Sequence, residues 1–337
     1  MKNKFFMAAL AFGAIGFVSC SDDDDSGNNN GNSDELALFT SSNTSGKISY
    51  TDLMVASPTA RNFSIGSADA DGIYYDDDKD EIIVASRTNN RLEVYGGFNA
   101  ALTGTGSALT MTASSQTGDF TNAREISVDG SRVVVVQDQS DANGLVNKLV
   151  VYQRTATGFT LEKSFTIPFK LWGIDIEDGN LYAVEDLSSR IAVFTNIFSK
   201  PTGNLSPDKK VTIEGLVRTH GIHHEGNTMV LTDVGLATSD VDGGLVVIEN
   251  FNSVFSGTAN DGTISLASQK RIYGPNSTLG NPVDVSFDED NKKIYVAERL
   301  NQGGRVLSFA YPTSAQADAS PLTARSEPGV TGIYLRD

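Results

Sequence analysis

The chain has three histidines, His220, His223 and His224, all within five residues. Such side chains exchange protons near neutral pH, so His220, at the start of an apolar run, is a candidate general base. The spacing argues against one shared metal, because His223 and His224 point to opposite faces of an extended segment. Carboxylates offer a second chemistry. Asp138, Glu185, Asp186, Asp233 and Glu298 each follow an apolar run. Brought to one place, they repel one another unless a cation or an arginine compensates, and an oxygen-rich set suits Ca²⁺ or Mg²⁺. Asp138, Glu185, Asp233 and Glu298 are therefore the candidate metal ligands. Asp71, Arg87, Arg124, Trp172, Asn281 and Arg299 are the candidate ligand-binding residues around them. The alternatives stay open: the acids bond turn amides or pair with arginines, and Trp172 packs between elements instead of meeting a sugar or aromatic ligand.

These residues are far apart in sequence, so a repeating framework must gather them. Internal repetition supplies it. Asp71-Gly72-Ile73-Tyr74-Tyr75 is followed by Glu81 to Arg87 and then by Arg91 to Tyr95. The same three-strand pattern begins again at Arg124, Trp172, His220 and Pro282. A sixth copy is split. Thr331-Gly332-Ile333-Tyr334-Leu335 matches the first strand at the C-terminal end, while Leu36 to Thr40 and Lys47 to Thr51 supply its second and third strands. Period-2 alternation, β-branched residues and Gly, Asn and Asp turns favour strands over helices. The expectation is an all-β, six-bladed β-propeller with four-stranded blades, in which N-terminal strands complete the blade of the C-terminal strand. Weaker segments, among them Ala108 to Thr112, Phe159 to Glu162, Lys210 to Ile213 and Thr263 to Leu266, are expected as outermost strands. In such a ring the first strands line a channel, and the candidate residues share one of its mouths. The loops Gln139 to Asn147 and Val234 to Gly243 should rise from the same face, where polar loops commonly bind partners.

Ile294 to Arg299 with Gly304-Arg305-Val306, and Leu181 to Asp186 with Arg190-Ile191, resemble NHL-type and YVTN-type propeller repeats. The resemblance extends over residues 36–337 and implies blades, which serve hydrolases, oxidoreductases and binding proteins alike. In blade number and ligand type the chain is also similar to six-bladed lactonases and sugar-acid hydrolases, which hold a metal at the channel mouth. That likeness implies a Ca²⁺-type hydrolase as the alternative to a binding or scaffold module.

The N-terminal end reads as targeting. Lys2 and Lys4 precede the apolar stretch Phe5 to Val18, which is too short for a confident membrane span. Phe17-Val18-Ser19-Cys20 resembles a bacterial lipoprotein box, with Cys20, the sole cysteine, as the lipidated residue. The acidic run Asp22 to Asp25 resembles the surface-export signal of Bacteroidetes-type lipoproteins. Residues 1–19 are thus expected to be a signal peptide, 20–34 a tether and 35–337 one domain, lipid-anchored and facing outward from the outer membrane. Removing residues 1–19 takes two lysines and leaves 24 basic against 42 acidic side chains, a formal charge of −18. That balance argues against nucleic acid and leaves a surface protein, glycan or small molecule as the partner. No phosphate-binding loop, dinucleotide fingerprint, Gly-x-Ser-x-Gly elbow or His-Glu-x-x-His helix is present, and thiol catalysis is excluded if Cys20 carries lipid.

Overall fold

A computed structural model describes residues 35–337. The expected signal peptide, the tether and Cys20 lie outside the described residues. Six sheets stand in a ring. Blade 1 comprises Ala70–Asp76, Glu81–Ser86, Arg91–Gly96 and Met111–Ser114. Blade 2 comprises Ala123–Asp129, Arg132–Gln137, Asn147–Thr155 and Gly158–Ile167. Blade 3 runs through Leu171–Glu177, Asn180–Glu185, Arg190–Phe194 and Lys209–Ile213. Blade 4 uses Thr219–Glu225, Thr228–Asp233, Gly244–Glu249 and Lys270–Tyr273. Blade 5 uses Pro282–Asp288, Lys293–Glu298, Arg305–Ala310 and Thr323–Ser326. Blade 6 joins the two ends of the chain. Its inner strand, Val330–Arg336, pairs antiparallel with Ala37–Ser42, which is followed outward by Lys47–Asp52 and Ala60–Ser64.

The split sixth copy is therefore one sheet, with Leu38 opposite Leu335 and Phe39 opposite Tyr334. One expected outer strand is reassigned. Thr263–Ile264 does not complete blade 4; it pairs in parallel with Thr212 and Ile213 at the edge of blade 3. Lys270–Tyr273 takes the place expected for it, pairing with Gly244–Glu249. Gly203–Asn204 caps blade 2 in the same parallel manner. Both additions cover an edge that would otherwise expose unpaired backbone groups.

The hydrophobic core is divided among the seams between blades, one cluster to each seam. Alternation explains this arrangement, because each strand sends successive side chains to opposite faces and both faces of a blade meet a neighbour. The closing seam, between blades 6 and 1, is the most aromatic. Phe39 stacks on Tyr75 at 4.7 Å and meets Phe98 edge-on at 5.3 Å. All three are essentially fully buried.

At the axis, each inner strand contacts the inner strands of both neighbouring blades. The Gly-Ile pairs sit at this approach. A Cβ on Gly173 would stand 2.2 Å from the His220 carbonyl oxygen, and one on Gly221 would stand 2.8 Å from the Asp284 Cα. Only glycine lets the backbones come this close. The inner strands also shift register beside these positions, as bulges do where a strand must bend.

If the closing seam holds the ring, Phe39→Ala should cost about 3–5 kcal/mol. Equilibrium urea unfolding measures this directly. A loss below about 1 kcal/mol would show that the ring stays closed without the aromatic cluster.

Candidate functional site

Inner-strand positions repeat in register around the channel. The residue before the close-approach position is Asp71, Arg124, Trp172, His220, Val283 or Thr331 in blades 1 to 6. The close-approach position itself is Gly72, Glu125, Gly173, Gly221, Asp284 or Gly332. The residue two further on is Tyr74, Ser127, Asp175, His223, Ser286 or Tyr334. The three sets form a mouth, a waist and a lower chamber.

At the mouth, consecutive blades build a stack. The His220 ring lies on Trp172 at 3.7 Å and 3° between planes. The Arg124 guanidinium lies over the Trp172 ring at 4.0 Å. Two groups this close cannot share one face, so both faces of the indole are covered. The stacking surface expected for a sugar or aromatic ligand is thus already used, and packing between blades is the arrangement found.

Charge surrounds this stack. Arg124 donates from Nε and Nη2 to Asp138 Oδ2 at 3.1 and 3.0 Å. Asp186 receives Arg218 Nε at 2.6 Å, Lys170 Nζ at 2.7 Å and His220 Nε2 at 3.1 Å. Burial would raise the Asp186 pKa, but the hydrogen bonds from His220, Arg218 and Lys170 outweigh it and hold the carboxyl far below its usual range. His220 moves the other way. Burial lowers it to about 4 against the pull of Asp186. It is therefore neutral at pH 7, donates through Nε2 and keeps a buried Nδ1 without a hydrogen-bond partner. Only 2% exposed, it is a stacked structural ring rather than a base reaching into the mouth.

Beside the stack, Asp71 lies between arginines. Its Oδ2 is 3.6 Å from Arg87 Nη1 and 3.9 Å from Arg124 Nη1, and it forms no hydrogen bond. Burial raises its pKa to about 7 although Arg124 and Arg87 oppose the shift. Arg299 joins them from blade 5. Its pKa is lowered by burial, with repulsion from Arg124 and Arg87 outweighing part of the attraction to Asp71.

The remaining sequence candidates are elsewhere. Asp233 accepts the amides of Val217, Arg218 and Gly235 and the Tyr273 hydroxyl. Glu298 accepts the amides of Gly280, Asn281, Leu300 and Asn301. Both are fully buried with their lone pairs occupied, so they anchor turns and do not fit a cation site. Glu185 pairs with Lys210 at 2.8 Å, away from Asp186. Asn281 belongs to the Glu298 turn and accepts the Arg299 amide on its backbone carbonyl. Among the described residues no group of three His, Cys, Asp or Glu is arranged to hold a metal ion. The histidines diverge as their alternation suggested. His223 lines the lower chamber, whereas His224 packs between Tyr182 and Phe251. Of the two loops, Gln139 to Asn147 is tied back through Asn143 to the Asp138 carbonyl. Val234 to Gly243 is tied through the Asp240 carbonyl to Asn301, leaving Leu236 exposed.

Lys170, Arg218, Glu125 and Asp284 escaped the sequence reading. A signal existed for each. Lys170 and Arg218 both stand two residues before a mouth residue, and Glu125 and Asp284 replace glycine in the repeat. Those two replacements are in blades 2 and 5, opposite one another in a ring of six. Burial raises the Glu125 carboxyl, and the charge of Asp284 across the waist raises it further. Burial is the main cause of both raised values, and Asp284 reaches about 7. Below lies a chamber of about 130 Å³ containing Asp175 and His223, 3.8 Å apart. The strands there are stapled across blades. Asp284 Oδ2 accepts the Ile333 amide, Asp175 Oδ2 the His224 amide and Ser127 Oγ the Ile176 amide.

No family model and no curated protein matches the chain. Solved structures do. The nidogen/laminin complex matches with TM-score 0.58 and 14% identity over 89% of this chain and 97% of that one. A protein of unknown function from Bacteroides caccae matches with TM-score 0.58 and 7% identity over 89% and 98%. A candidate 6-phosphogluconolactonase from Bacteroides fragilis NCTC 9343 matches with TM-score 0.58 and 10% identity over 90% and 99%. At these identities the likeness is one of fold, and that fold is the six-bladed β-propeller.

The waist makes a pH prediction. Glu125, Asp284 and Asp71 have folded pKa values above their unfolded ones, so their contribution is complete at acid pH and is lost as pH rises, for Asp284 and Asp71 through about 7. The raised His223 acts in the same direction. The lowered His220 and His224 act oppositely, but only between about 4 and 6.5. From pH 6.5 to 8.5 the thermal midpoint should therefore fall. Glu125→Gln, which removes one titrating carboxyl at similar size, should fall by about 2–4 °C less. Parallel curves for the two proteins would remove the pair as the cause.

Proposed function

We propose that the chain is a binding or scaffold propeller whose ligand docks at the cationic mouth, with the domain displayed from the outer membrane through lipid on Cys20. The observation that carries this is the fate of the mouth carboxylates. Asp233 and Glu298 are committed to amides and Asp138 and Asp186 to Arg124, Arg218 and Lys170, Asp71 Oδ2 makes no hydrogen bond, and the cationic side chains Arg87, Arg124 and Lys170 remain 20%, 13% and 23% exposed. The sequence supports the display reading through the lipoprotein-like box and the acidic run that follows it.

The hydrolase alternative draws on the fold shared with the candidate 6-phosphogluconolactonase. It needs open carboxylates for Ca²⁺ and a base near neutrality. Asp233 and Glu298 have no lone pair to give, and His220 is buried with a depressed pKa. The mouth is better suited to holding a ligand than to activating water.

Thermal unfolding of the purified protein separates the two readings. A ligand that binds only the native state at 100 times its Kd stabilises it by about 2.7 kcal/mol. Within a panel of glycans and small acids, at least one should raise the midpoint saturably, and Arg124→Ala should abolish that rise. Added calcium or chelator should leave the midpoint unchanged. A saturable calcium-dependent rise together with lactone turnover would replace the binding reading with the hydrolase one.

A further inference from the structure

Resting on that reading, we propose that Arg87, Arg124 and Arg299 form a seat for the carboxylate of a small monoanionic ligand, directly beside Asp71. The Arg87 and Arg124 guanidiniums of blades 1 and 2 stand 3.6 and 3.9 Å from Asp71, and Arg299 of blade 5 feels the charges of all three, in a chain whose formal charge is −16. Like charges do not gather without a counterion. The one they share, Asp71, is poorly placed to serve, since its nearest arginine nitrogens are 3.6 and 3.9 Å away and its Oδ2 has no hydrogen bond. Asp69 adds only a 3.5 Å contact to Arg87.

Donors are also left over. An arginine offers five N–H groups. Arg299 has no carboxylate within 4 Å among the described residues, and its Nη2 finds an acceptor at 2.7 Å only when the Asn43 amide is turned to present its oxygen. Arg87 Nη2 donates to Asn122 Oδ1, while its buried Nε has no partner. Arg124 spends Nε and Nη2 on Asp138, which leaves Nη1 facing Asp71. A planar, two-oxygen anion is what such forks recognise best.

Charge selects between oxyanions. Around the mouth stand Arg87, Arg124, Lys170, Arg218 and Arg299 against Asp69, Asp71, Asp138 and Asp186, with His220 neutral. With Asp71 ionised, one positive charge is uncompensated, which matches a monoanion. A phosphate dianion would bring its second charge against Asp71 and Asp138. Protonated Asp71 can instead donate a hydrogen bond to the bound carboxylate, so binding is favoured toward acid pH.

Trp172 is the only tryptophan, and Arg124 lies against its ring, so its fluorescence reports on this seat. The purified protein is titrated with sodium propionate, with sodium phosphate and with sodium chloride at constant ionic strength. Propionate should give a saturable change in emission at pH 6.5, and at pH 8, where phosphate is mainly a dianion, phosphate should need at least about ten times the propionate concentration. Arg299→Gln and Arg87→Gln should each weaken propionate binding by about ten-fold or more, the scale of a lost charge-assisted hydrogen bond. Asp71→Asn should tighten binding at pH 8, which a merely structural Asp71 would not do. Urea unfolding of each variant establishes that it folds, and two independent arginine variants keep the test open if one does not. A response equal to that of chloride, tighter binding of phosphate, or unchanged affinity in both arginine variants would overturn the carboxylate seat. Those results leave the binding reading standing, since the ligand panel with Arg124→Ala judges it without reference to propionate. If the panel shows no mouth-dependent ligand and propionate also fails, both fall.

Discussion

Four of the six inner strands approach a neighbour at the axis more closely than a Cβ allows. Gly72, Gly173, Gly221 and Gly332 meet that constraint by having no Cβ, and the ring closes on backbone contact there. Where the repeat departs from glycine, the side chain has only the channel to occupy. Glu125 and Asp284 are the two departures, and opposite blades bring them together. The waist is thus lined by two carboxyls through the same geometry that closes the ring, with the mouth on one side and the lower chamber on the other.

The mouth is cationic in an acidic protein because of where its acids bond. Asp233 and Glu298 face backbone amides, which satisfy them without any cation, and so contribute nothing to the mouth. Asp138 and Asp186 pair with Arg124, Arg218 and Lys170, and these pairs leave further arginines without a full counterion. Burial strengthens each of these interactions and also penalises every charge left unpaired. Neutral His220 fits that balance. It fills space against Trp172, donates one hydrogen bond to Asp186 and adds no charge to a crowded region.

Much of the fold was legible because repetition is a property of spacing. Asp71-Gly72-Ile73 and Thr331-Gly332-Ile333 carry the same strand signal, and the truncated last copy shows which terminal strands complete it. The outermost strands were less legible. Thr263–Ile264 and Lys270–Tyr273 are both short, polar and β-branched, and only pairing across blades decides which one belongs to blade 4. The site was legible in place and not in role. Glu185, Asp233 and Glu298 end second strands alike, yet one meets Lys210 and two meet turn amides. Their partners come from other loops, so no local pattern distinguishes them. Glu125 and Asp284 were visible as exceptions to glycine, but their meaning depends on blade count, since only in a ring of six are blades 2 and 5 opposite.

The two compartments also differ in what they can exchange with solvent. The mouth has partly exposed arginines and a lysine, so it can take up an anion by rearranging water. The lower chamber is lined by Asp175, Glu125, Asp284 and His223, whose pKa burial lowers but Glu225 and Asp175 raise on balance. An anion held at the mouth meets Glu125 and Asp284 beneath it, and any charge on that pair repels it. Ionisation of Glu125 and Asp284 as pH rises therefore opposes an anion held at the mouth through charge repulsion, with no movement of the blades required.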